Sequence, residues 1–164
     1  QSRSSSPVGK QVTGLELVAG DRGGRWDVIH PAQGEDFTRS TDDALVLRGK
    51  FHGVTVLLLS DLGHDGRQAL TRKDVNLQAD VLALSVPDRS LPVDLGFLRQ
   101  VAPKVIVVQD SQFPVTERAS TQWLARLRES NATVLSVKDL GGIRLTIEPD
   151  GWRLENAEGG LFSQ

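Results

Sequence analysis

The sequence predicts an α/β (α+β) fold built on a mixed β-sheet, with hairpins first and alternating strands and helices after. Two apolar runs, Val54-Thr-Val-Leu-Leu-Leu-Ser-Asp61 and Ala79-Asp-Val-Leu-Ala-Leu-Ser85, have the length and composition of buried strands. Upstream of them, strand-like stretches flank glycine-bearing turns, the pattern of antiparallel hairpins. Downstream of Asp61, single helices alternate with single strands, and such crossovers place strands parallel in one sheet.

In chain order, the serine-rich residues 1–10 read as a flexible linker, 11–155 as one domain and 156–164 as a flexible tail. The chain opens on Gln1 and contains no methionine, so it is expected to be a segment of a longer protein. Residues 11–18 and 25–29 are expected to form a hairpin turning at Gly20-Asp-Arg-Gly-Gly24, whose glycines permit positive φ. Residues 32–40 are polar and aperiodic. A second antiparallel pair, 44–47 with 54–59, flanks Gly49-Lys-Phe-His-Gly53. Then follow a short helix at 67–71, a strand at 79–84, a helix at 94–101 and a strand at 104–108. A helix at 116–130 is expected from Thr116 as cap and from Ala119, Trp123 and Leu127 spaced along one face. A strand at 133–137 and a third hairpin, 143–148 with 152–154 across Pro149-Asp-Gly151, complete the domain; residues 155–164 are expected to fray.

The 164 residues suit one domain, and Lys+Arg 19 against Asp+Glu 21 leaves a net charge of −2. No overall positive field therefore draws in nucleic acid, and such binding requires a local patch. The absence of cysteine excludes disulfides and thiolate metal sites, and His30, His52 and His64 are the only imidazoles. The longest apolar runs fall far short of the roughly 20 residues of a membrane span. The segment is therefore expected to be soluble and to make no membrane contact itself.

The leading candidate for chemistry is Asp61, placed where a buried strand ends and Gly63-His-Asp-Gly66 turns the chain. A carboxylate there suits a hard or borderline metal, with His64 and Asp65 as weaker companions. The competing reading is a local cap, because Asp favours such boundaries for its hydrogen bonds. His30 and His52 read as surface or hydrogen-bonded residues. Serines Ser60 and Ser85 lack the Gly-x-Ser-x-Gly elbow of a nucleophile. Arg67, Arg72 and Lys73 with Arg22 and Arg25, or Arg118, Arg126 and Arg128, are candidate phosphate contacts, but interleaved acids make a solvated face the simpler reading.

Taken in order, Trp26-Asp-Val-Ile-His-Pro31, Thr41-Asp-Asp-Ala-Leu-Val-Leu-Arg48, Val56-Leu-Leu-Leu-Ser-Asp61 and Ala79-Asp-Val-Leu82 resemble the carboxyl-terminal half of the metallo-β-lactamase-like domain of ComEC-type competence proteins, membrane proteins of bacterial DNA uptake. The resemblance spans residues 14–152. It implies a half of an αββα sandwich on the extracytoplasmic side of the inner membrane. The family's Gly-Asp metal-bridging aspartate falls on Asp61, with Ser60 in place of the glycine. Its Pro-His-His-Gly-Ser falls on Ser85-Val-Pro-Asp-Arg89 and its Asn-x-Tyr-Gly-His-Pro near Ser111-Gln-Phe-Pro-Val115, where no histidine stands. The remaining family ligands would lie in an amino-terminal half outside this segment.

The resemblance thus implies a domain associated with DNA uptake that lacks its own hydrolytic metal centre and acts as a scaffold or docks a partner. Its expected partners are a missing amino-terminal half or partner domain, with DNA as a further candidate. No cofactor is expected for the segment alone; zinc or manganese enters only if a missing half completes the site, which gives the alternative of a metal-dependent phosphodiesterase or nuclease. A second alternative is an unrelated α/β domain binding a small ligand at the strand ends after Asp61, Ser85 and Asp110. A bare half-sandwich would expose apolar surface, so either compaction into a self-sufficient domain or association is expected.

Overall fold

A computed structural model describes residues 15–19, 25–86 and 92–163. Ten strands are assigned among them: β1 (Leu15–Ala19), β2 (Arg25–His30), β3 (Val46–Phe51), β4 (Val54–Ser60), β5 (Val81–Ser85), β6 (Val105–Gln109), β7 (Thr133–Ser136), β8 (Ile143–Glu148), β9 (Gly151–Asn156) and β10 (Leu161–Ser163). The helices are α1 (His64–Arg72), α2 (Leu95–Val101), α3 (Thr121–Arg128) and α4 (Val137–Leu140). A six-stranded sheet runs β2-β3-β4-β5-β6-β7, and a four-stranded sheet runs β1-β8-β9-β10. In the larger sheet β2, β3 and β4 are antiparallel neighbours, while β4 to β7 lie parallel. The expected α/β class, with a mixed sheet and strand–helix alternation after the hairpins, is the observed one.

The central strands are apolar on both faces because both faces are covered. On one face Leu57, Leu59, Leu82, Leu84, Ile106 and Val108 pack with Leu70, Leu98, Trp123 and Leu127 of the helices. On the other, Val56, Val81, Ala83, Val105 and Val107 meet Ile143, Leu145, Ile147 and Leu154 of the smaller sheet. Along β8 the alternate residues Arg144 and Glu148 are exposed, and Arg153 of β9 bonds Glu148 at 2.9 Å. The outward side of the β8–β9 pair thus carries solvated charges. The larger sheet is covered on both faces within the chain itself.

Several expectations change. The first expected hairpin does not form: β1 pairs in parallel with β8, whereas β2 borders the other sheet. Glycines permit a chain reversal without requiring the flanking strands to pair, so they also suit a crossing between sheets; residues 20–24 themselves lie outside the described residues. The helix expected at 116–130 begins later. A single 3-10 turn occupies Val115–Glu117, and Ser120, not Thr116, caps α3 by accepting the Trp123 N–H at 3.1 Å. Trp123 and Leu127 do share its buried face. Residues read as a fraying end include β10, which pairs with β9 through Leu161 to Ser163. The expected linker at 1–10 lies outside the described residues.

Candidate functional site

Strands β4, β5 and β6 end side by side, and their last residues open into one cleft of about 680 Å³ lined by Ser60, Asp61, Ser85, Gln109, Asp110 and Glu117. Parallel strands create this place, since each chain must leave the sheet and return by way of a helix. Asp61, Ser85 and Asp110 therefore do meet around a common space. Ser85 Oγ donates to Gln109 Oε1 at 3.1 Å across the β5–β6 register.

Asp61 reaches the cleft through a local irregularity. The β4–β5 register shifts between Leu58 and Ser60, and Ser60 adopts φ 57, the left-handed region that favours glycine. The distortion re-aims the chain as it leaves the sheet. Asp61 is half-buried, and Ser60 Oγ donates to its Oδ1 at 3.3 Å.

Asp110 is held more firmly. Its buried Oδ1 accepts the Ser136 hydroxyl at 2.8 Å and the Lys138 N–H at 3.1 Å. Oδ2 is also buried and has no hydrogen-bond partner among the described residues, with Lys138 Nζ 3.9 Å away. Ser136 in turn accepts the Asp139 N–H, capping α4. A short helix that strand propensity hid thus tethers the cleft floor.

The helix after Asp61 is capped from a distance. Its N-cap residue, Gly63, has no side chain, and buried Asp42 instead accepts the Asp65 and Gly66 N–H groups at 2.9 and 3.0 Å. A Cβ on Gly63 would run into Asp42 Oδ1. His30 stands behind this cap. Its Nε2 lies 2.7 Å from the Asp42 carbonyl, which fixes the proton on Nε2 and leaves Nδ1 to accept from Lys73 Nζ at 3.3 Å. Lys73 also bonds Glu35 at 2.6 Å, and this bond, with the Ala32 N–H, holds the Glu35 carboxyl below its ordinary range. His30 is therefore a fully buried structural histidine.

The other sequence candidates disperse. His64 bonds Gln68 and lines a separate groove with Val93, Trp123 and Leu127, while Asp65 is exposed on the first turn of α1. Neither joins Asp61 in its cleft, and His52 sits at φ 46 in the β3–β4 turn. Among the described residues no three His, Cys, Asp or Glu side chains group closely enough to hold a metal ion. The donor set around Asp61 is hydroxyl, amide and carboxylate, without imidazole, and does not fit the zinc centre of a hydrolase. Pro87, Asp88 and Arg89 lie outside the described residues.

Of the expected basic clusters, Arg67 and Arg118 bond backbone carbonyls within the fold, and Arg22 lies outside the described residues. Arg67 is buried and donates to Leu62 O at 2.5 Å and Pro92 O at 3.3 Å; burial lowers its pKa, and Asp94 and Asp42 counter that. Arg118 is turned onto Gln112 O. Arg48 and Lys50 do share a cleft, at the opposite end of the sheet. Sequence reasoning missed them, along with Asp42 and the tethering of Asp110. A period-2 reading of 46–51 places Arg48 and Lys50 on one face, but only the fold shows what lies beside them. No described helix is long and apolar enough to cross a membrane. No protein-family model matches the chain, and no curated protein matches it either.

Proposed function

We propose that this chain is a ComEC-like domain associated with DNA uptake, serving as a scaffold or docking element without a hydrolytic metal centre of its own. The observation that carries the reading is Ser60 at φ 57 immediately before Asp61. A backbone that favours glycine at this position is what a Gly-Asp motif supplies, so the site reads as a Gly-Asp corner whose glycine has been replaced. The face-to-face sheets with helices on the outer side of the larger one are compatible with this reading. Metal-dependent phosphodiester hydrolysis needs ligands that hold the ion while it generates hydroxide and stabilises the displaced oxygens. Around Asp61 this chain offers Ser60, Ser85, Gln109 and carboxylates instead.

A docking role has support at the rim of the same cleft. Phe113 and Val115 are 74% and 65% exposed on the loop after β6. That loop is braced by Ser111 N to Glu117 O at 3.0 Å, Ser111 Oγ to Phe113 O at 2.6 Å and Arg118 to Gln112 O at 3.0 Å. Apolar side chains presented on a braced loop suit a protein interface, because little entropy is lost on contact.

The test is DNA uptake by cells carrying variants of the full-length parent protein. Deleting residues 25–163, or replacing Phe113 and Val115 by serine, is expected to reduce uptake of labelled DNA, while Asp61→Ala leaves it near the parent level. Unimpaired uptake after deletion overturns the reading. Loss of uptake on Asp61→Ala, with Mn²⁺-dependent cleavage of single-stranded DNA by the parent protein, favours the nuclease alternative.

A further inference from the structure

We infer that the opposite end of the sheet holds a binding site for a phosphate group. Here Arg48 and Lys50 of β3 share a cleft of about 350 Å³ with Thr55, Asn76, Gln78 and Asp80. The two cations project from the same side of their strand as Val46, toward the helical layer, where the segment between α1 and β5 walls the cleft.

The charge bookkeeping of this cleft leaves both cations available. Asp80 is its one carboxylate, and both of its oxygens are engaged: Oδ2 accepts the Thr55 N–H at 2.9 Å and Oδ1 pairs with Lys104 at 2.9 Å. Lys104 therefore balances Asp80. Arg48 makes one hydrogen bond among the described residues, from Nη2 to Gln78 O at 3.1 Å, and its Nε is buried with no partner. Lys50 is exposed and forms no ion pair among the described residues. Asn76 uses its Oδ1 on the Gln78 N–H, which leaves its NH₂ group as a donor.

A guanidinium with an unfilled N–H, an unpaired ammonium and side-chain amide donors around one concavity match a compact oxyanion that accepts several hydrogen bonds. Phosphate has the required number of acceptor oxygens, and the planar guanidinium bonds two of them at once. A carboxylate accepts on two oxygens in one plane, whereas phosphate presents its oxygens in a tetrahedron that reaches donors on several walls of the cleft. The site uses no residue of the Asp61 cleft and stands whether or not the uptake reading holds. The phosphate is either that of a nucleic acid strand or that of a small phosphorylated molecule.

The experiment titrates the isotope-labelled chain with inorganic phosphate, following the Arg48 Nε–H resonance and the amides of Lys50, Asn76 and Gln78, and measures anisotropy of a fluorescent oligothymidylate in parallel. Phosphate is expected to shift these resonances and to compete with oligonucleotide binding. Arg48→Gln and Lys50→Gln are each expected to weaken binding about tenfold, as loss of a charge-assisted hydrogen bond does. Each is also expected to flatten the salt dependence of oligonucleotide affinity by about one unit of slope. Lys50 is exposed, so Lys50→Gln keeps the test valid if Arg48→Gln perturbs folding. Phosphate shifts without oligonucleotide binding keep the site, assign it to small phosphates and count against DNA as a partner. No shift at these residues, or oligonucleotide binding indifferent to both substitutions, overturns the inference.

Discussion

The two ends of the parallel strands carry opposite chemistry. At the carboxyl ends, Asp61, Asp110 and Glu117 line one cleft, and the nearest cation among the described residues that pairs with them is Lys138, 3.9 Å from Asp110 Oδ2. At the amino ends, Arg48 and Lys50 line another, where the lone carboxylate, Asp80, is already neutralised. A chain of net charge −2 thus separates its charges along the strand direction. On the phosphate proposal, the amino end favours an anion and the more acidic carboxyl end does not.

The ends differ in mechanical support as well. The carboxyl end depends on buried side-chain caps, so it is the more sensitive to single substitutions. Asp42→Ala removes the acceptor of two amide N–H groups at the start of α1 and is expected to cost about 2 kcal/mol, read as a lower urea midpoint with unchanged m. Asp110→Ala strands the Ser136 hydroxyl and the Lys138 N–H but also relieves a buried carboxylate oxygen with no hydrogen bond, so about 1 kcal/mol is expected. Equal costs for Arg48→Ala, measured the same way, would erase the contrast between the ends.

What could be read from the sequence follows from the range of each interaction. The strands at 54–59, 79–84 and 104–108 and the turn at 149–151 are set by local periodicity and turn chemistry and stand within two residues of where they were expected, whereas β3 runs four residues past the expected 44–47, through Gly49, Lys50 and Phe51 of the expected turn. The placement of Asp61 at a strand end was equally local. Asp42 was opaque, because its role is to cap a helix 23 residues away whose own N-cap is a glycine. The β1–β8 pairing joins the two ends of the domain, and no window of sequence reports it. Arg67 reads as a surface cation in a polar run, yet it is buried on backbone carbonyls. Composition left any nucleic-acid binding to a local patch, and that Arg48 and Lys50 share one cleft is visible only in the fold.

Ser60→Gly sharpens the comparison from the other side. A serine at φ 57 carries backbone strain that glycine does not, while glycine loses more entropy on folding, so a net gain of about 0.5 kcal/mol is expected. The gain is read as a raised urea midpoint. A loss instead of a gain would show that the Ser60 Oγ bond to Asp61 outweighs the strain, and would weaken the reading of this corner as a glycine position.

A further expected effect belongs to the amino end and depends on pH. Burial pushes the Asp80 carboxyl up, but the Thr55 N–H and Lys104 outweigh it and hold the group below its ordinary value. A carboxyl depressed in the folded state stabilises the fold above the unfolded pKa of about 4, and that contribution is lost as pH falls through the folded value. Stability from this group is therefore flat between pH 7 and 5 and declines below about 4. Asp80→Asn keeps an acceptor for Thr55 but gives up the ion pair, which is partly solvated, so less than about 1 kcal/mol is expected at neutral pH. Urea midpoints between pH 7 and 3 should show a shallower acid limb in Asp80→Asn than in the parent. Parallel limbs would mean that Asp80 does not neutralise Lys104 in the fold. The amino end would then carry three unbalanced cations instead of two, and its contrast with the carboxyl end would grow.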